Sequence, residues 1–182
     1  MMTLQQHFDT QQLSNDYGLV DGVKMNAEMG NRFKISNPWF QNHVGSGHFV
    51  ELRIDSPRFS AHPDAPVDCT CPHCKEPAEK PILCHDEPAS LLPVPKHSVP
   101  SRGWGEQFWV RITERQGAWL AGDIDNLLYE SRLHELNRGD TLYFHQDHIL
   151  VVHGTHHQEI LHRLNNKEVE ALGKWLQENR HL

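Results

Sequence analysis

The sequence predicts an α+β protein: a small antiparallel sheet, a C-terminal helix, and a zinc-binding loop set into the first half of the chain. Three observations carry this. Apolar residues alternate with polar ones at Val50, Leu52 and Ile54, and again at Phe108, Val110 and Ile112, the period-two signature of a half-buried strand. Val169, Leu172 and Leu176 recur at helical spacing near the C-terminus, with Trp175 beside them. All four cysteines fall between residues 69 and 84.

Taken in order, residues 3–16 are polar and suit a short helix anchored by Leu4, Phe8 and Leu13, and Tyr17 to Gly22 suits a turn. Arg32-Phe33-Lys34-Ile35 is a candidate strand that Asn37-Pro38 would end, and Trp39-Phe40 is core material. Gly45-Ser46-Gly47 is a turn rather than a phosphate loop, because no lysine and no helix pattern follow it.

Cys69-Thr-Cys71-Pro-His-Cys74 and Cys84-His85 then form the clearest chemical feature of the chain. A C-x2-C knuckle aims two sulfurs at one point, and zinc takes thiolate and imidazole ligands in a closed tetrahedron. The favoured set is Cys69, Cys71, Cys74 and Cys84, with His85 or His73 able to replace Cys69, holding one structural zinc per chain. A disulfide pairing or an iron–sulfur cluster is the alternative use of the same thiols. Four thiolates would leave no open position for hydrolysis. Cys84 and His85, being adjacent, are poorly placed to act as nucleophile and base.

A proline-rich connector, 87–100, joins this loop to the second half, and Gly103-Trp104-Gly105 follows. The chain therefore divides into an N-terminal α+β region, 1–100, with its zinc loop at 69–85, and a sheet-plus-helix region, 101–182; the two can also form one compact domain. Trp104, free to turn between its glycines, and the nearby Glu106 are the candidate binding-surface residues. Arg115-Gln116-Gly117 turns the strand at 108–112 into a partner through Leu120 and Ile124. Arg138-Gly139-Asp140 is a further turn, and 141–145 and 149–152 give two more strands. Asn165 and Glu168 have capping-box spacing at the start of the last helix, whose apolar stripe should face the core.

The stretch from about Gly103 to Val152 resembles the YegJ-like bacterial proteins, a family of unknown function. The resemblance rests on Gly105-Glu106-x-Phe108-Trp109-Val110-x-Ile112, on Leu120-x-Gly122-x-Ile124-x-Asn126, and on Leu136-x-x-Gly139-Asp140-x-Leu142-x-Phe144 with the strand at Ile149. It implies a small α+β unit with a curved sheet and carries no catalytic residues to transfer. The cysteine loop is not part of that pattern.

A net charge of −7 disfavours a nucleic-acid role, which needs a basic face, and suits a basic protein partner. The start of the sequence shows no signal-peptide pattern, and no apolar run is long enough to span a membrane. Thiols clustered as metal ligands suit a reducing compartment, so a cytoplasmic location is expected. These features point to a zinc-binding bacterial protein acting without catalysis, as an immunity-type or regulatory binder. The alternative is a metal-dependent hydrolase using His145, His148, His153, His156, His157 and His162.

Overall fold

The computed structural model describes residues 2–14, 17–55, 105–129 and 131–178. The cysteine loop with His73 and His85, the proline-rich connector and Trp104 lie outside the described residues.

Six strands form one antiparallel sheet: β1 (Gly18–Leu19), β2 (Phe49–Asp55), β3 (Glu106–Gln116), β4 (Trp119–Ile124), β5 (Thr141–His145) and β6 (Val151–Val152). They run in the order β1-β2-β3-β4-β5. β6 also pairs with β2, at Val50 and Glu51, while β1 pairs with β2 at Ile54 and Asp55, so both share one edge of β2. The period-two reading holds. Val50, Leu52 and Ile54 of β2 point inward beside Phe108, Val110 and Ile112 of β3, and all six are fully buried.

Gly117, at a positive φ of 62°, makes the two-residue turn from β3 to β4, where a side chain would be strained. Register slips between Ile112 and Glu114, so that Thr113 is an extra residue on β3. Such a bulge bends its strand and sharpens the local twist, which gives the sheet its curvature. Opposite it, a Cβ on Gly122 would lie 2.5 Å from Val110 Cγ1 and 2.7 Å from the Arg111 carbonyl oxygen.

Helices cover the sheet. α1 (Leu4–Thr10) is capped by Thr3 and Gln6, each side chain bonded to the other's backbone N–H. It lies across β4 and β5, stacking His7 on Tyr143 and Phe8 on His148, with Phe8 tilted against Trp119. Just beyond it, the Gln11 amide accepts the Tyr143 N–H at 2.9 Å and donates to the Tyr143 carbonyl at 3.1 Å. A side chain thereby occupies the outer edge of β5 as a further strand would.

Residues 17–43 depart from expectation. The turn foreseen at 17–22 contains β1, and α2 (Gly22–Met29) follows it, capped by Asp21. No strand forms at 32–35. Asn37 and Pro38, expected to end one, instead begin α3 (Pro38–His43): Asn37 accepts the Trp39 N–H, and proline suits the first helical position, where an N–H has no helical partner. The Arg115 guanidinium ties the end of α3 to the sheet, donating to the carbonyls of Val44, Gln41 and Gly117 and to Gln146 Oε1.

After β4 come α4 (Ser131–His134) and, past β6, α5 (His157–Arg163) and α6 (Asn166–Glu178). The foreseen capping box is present: Glu168 N–H donates to Asn165 Oδ1 at 3.1 Å and Asn165 N–H to Glu168 Oε2 at 2.8 Å. The stripe is only partly used. Leu172 is buried, but Val169 and Leu176 are each half exposed.

Candidate metal centre

Three side chains that can hold a metal ion converge where β2 begins: His48, His156 and Glu159, each offering one ligand atom within 4.8 Å of the others. His48 arrives there through period two. It is in phase with Val50, Leu52 and Ile54, so its ring enters the inner face and is only 2% exposed. The turn before it has Gly47 at φ 89°, and the Gly47 N–H and the His48 carbonyl both bond Ile112 of β3, which fixes the ring's origin.

His156 and Glu159 come from one short segment. A 3-10 turn, Gly154–His156, is capped by the His153 side chain and leads into α5, with Glu159 in its first turn. Spacing of three residues puts the two side chains on the same side of the chain. The His156 ring stacks on His48, centroids 4.7 Å apart, and lies 5.7 Å from Phe49.

Glu159 Oε2 is 3.5 Å from His48 Nε2 and 3.9 Å from His156 Nδ1. Ligands on one zinc at about 2.1 Å stand about 3.0–3.5 Å apart, so closing the site takes shifts of about 1 Å. Two buried ring nitrogens, His48 Nε2 and His156 Nε2, have no hydrogen-bond partner. Buried polar atoms are normally paired; on His48 the open atom is the one that faces Glu159, whereas on His156 it is Nε2 and Nδ1 is the atom 3.9 Å from Glu159. Burial, and then the neighbouring His48, lower the His156 pKa against the opposing pull of Glu159, which favours the neutral ring that a metal needs. What burial Glu159 has would raise its carboxyl, but Arg163 and then His48 hold it below the ordinary value, keeping it ionised. Arg163 also bonds Glu159 directly from one turn on.

His48 Nδ1 accepts the Gly45 N–H at 3.1 Å. The partner of one ring nitrogen decides where the proton of a neutral imidazole sits, so here it resides on Nε2, toward Glu159.

Of the six histidines expected to gather, only His156 joins this group. His148 lies under Phe8 and accepts the His145 N–H, His145 sits against Asp147, His157 donates to the Val152 carbonyl and stacks on Phe40, and His153 bonds Thr155. His162 is exposed on α5. Apart from His162, they serve the fold through ring packing and hydrogen bonds. His48 and Glu159 were not singled out in the sequence; the available signal was His156-x-x-Glu159 at a helix start, because only folding supplies His48.

The candidate ligands Cys69, Cys71, Cys74 and Cys84, their alternates His73 and His85, and Trp104 lie outside the described residues. Glu106 is buried, 8% exposed. Its carboxylate accepts the Tyr129 N–H at 2.6 Å and lies 3.3 Å from His134 Nε2, while His134 Nδ1 accepts the Leu136 N–H. Among the described residues no helix is long and apolar enough to cross a membrane. No family model matches this chain, and neither the curated proteins nor the solved structures yield a match.

Proposed function

We propose that the protein binds a divalent transition-metal ion through His48, His156 and Glu159 and acts as a metal-dependent hydrolase. The observation that carries this is the convergence of His48, His156 and Glu159, one ligand atom of each within 4.8 Å of the others, with the buried His48 Nε2 unpartnered and 3.5 Å from the carboxylate. Two nitrogens and one oxygen favour zinc, cobalt, nickel or ferrous iron over calcium or magnesium. Three protein ligands leave room in the coordination sphere for water, whose pKa a bound zinc lowers toward neutrality. Glu159 is about half exposed, which gives solvent and substrate access from its side.

The test follows the His48 and His156 ring signals by NMR as zinc is added. Both should shift and saturate near one equivalent, and His156→Ala should abolish the response at His48. Rings indifferent to excess zinc would overturn the metal reading. Zinc-loaded protein that turns over no ester or phosphoester substrate would overturn the hydrolase reading alone.

Separately, we propose that Cys69, Cys71, Cys74 and Cys84, with His73 or His85 as alternates, hold a structural zinc. Elemental analysis of protein purified without added metal should show zinc that Cys74→Ser removes.

A further inference from the structure

The geometry points to a coupling between metal occupancy and the Gly45–Gly47 turn: His48 can bind a metal through Nε2 only by giving up the Gly45 N–H, so filling the site breaks one of the bonds that hold this turn. The inference rests on the metal reading above and adds a conformational output to it.

A neutral imidazole carries one proton. With Gly45 N–H donating to Nδ1 at 3.1 Å, that proton is on Nε2, the atom that faces Glu159. A metal on Nε2 needs its lone pair, which sends the proton to Nδ1. Two N–H groups would then confront each other across 3.1 Å with no acceptor between them. Turning the ring over instead places a carbon opposite Gly45. In either case the Gly45 N–H loses its acceptor.

The ring has little room to yield, being 2% exposed and stacked on His156. Its carbonyl is held by the Ile112 N–H at 2.9 Å. On the other side, Val44 is buried and its carbonyl is clamped by Arg115 at 2.7 Å. Gly45 lies between these fixed points, and a Cβ built on it meets nothing within 4 Å. The Gly45 carbonyl also accepts the His48 N–H at 3.0 Å, so the change centres on the Gly45 N–H itself.

Losing a hydrogen bond and leaving its donor unpaired opposes metal binding, so the Gly45 amide should read out occupancy of the site.

The experiment is a zinc titration of the full chain, followed residue by residue in NMR at the Gly45 amide and at the His48 and His156 rings. Residue resolution separates this site from zinc held by the cysteines. We expect the Gly45 amide to shift over the same zinc range as the rings and to exchange faster with solvent once the site is filled. Rings that saturate while the wild-type Gly45 amide keeps its shift and exchange rate would overturn the coupling and leave the metal site standing. Rings that do not respond would overturn both.

Discussion

His148 gives the sharpest test of how this fold uses its histidines. It accepts the His145 N–H at 3.0 Å, stacks on Phe8 with centroids 5.3 Å apart, and has its pKa pushed down to about 4. Burial is the main cause, His145 adds to it, and Asp21 and Asp147 oppose. A histidine neutral in the fold but titrating near 6.5 when unfolded binds more protons unfolded at acid pH. Its contribution is therefore intact above about pH 6.5 and is lost as pH falls toward about 4, below which no further loss occurs.

Between about pH 7 and about pH 5, linkage with these two values removes about 2 kcal/mol of stability. His148→Asn isolates that share, because the asparagine oxygen can accept the His145 N–H and the side chain does not titrate. At neutral pH the variant should be less stable by about 1–3 kcal/mol from lost ring packing. In urea denaturation at about pH 5 that deficit should shrink by about 2 kcal/mol or vanish. His134 and His156, also lowered by burial, lose stability in the same direction in both proteins and so cancel. A deficit of the same size at both pH values would refute the claim that His148 is held neutral by burial.

Gly122→Ala should cost about 1–3 kcal/mol in chemical denaturation, since its methyl group would press on Val110 and the Arg111 backbone across the β3–β4 ladder. Arg115→Lys should lose about 1–3 kcal/mol, because one ammonium cannot reproduce the fork that holds Gln41, Val44, Gly117 and Gln146. Gln11→Ala should leave Tyr143 N–H and C=O open on β5 and raise self-association at high concentration, readable by analytical ultracentrifugation.

The strands were legible because a half-buried strand writes its face directly into alternate positions, as Val50, Leu52 and Ile54 do. The capping box at Asn165 and Glu168 was legible because it is local. α2 and α3 were not, because their short segments bury few residues: Gly22 in α2 and Gln41 in α3. Asn37-Pro38 carried the right signal with two meanings, a strand end or a helix start, and only the neighbouring structure chooses between them. Val169 and Leu176, two of the three residues of the stripe on α6, stayed half exposed because amphipathic spacing tells which side of a helix is apolar, not how much of that side finds a partner. The candidate metal centre was half visible. His156 stood out among the histidines, whereas His48 joins it through a pairing of β2 and β6 that no local pattern announces.

The ladder between β2 and β3 has a last consequence. These strands are immediate neighbours and pair out to Ile54 with Glu106, yet the residues between 55 and 105 all enter and leave through that one gap. The gap is closely fitted: the Arg53 guanidinium lies so near Gly105 that a Cβ there would sit 2.5 Å from it, and Arg53 reaches Asp55 at 3.6 Å. A chain whose two ends are already side by side can lengthen at small entropic cost, about 0.6 kcal/mol for each doubling. On loop closure alone, the length of the segment between Ile54 and Glu106 can therefore change at little cost to the ladder that joins them.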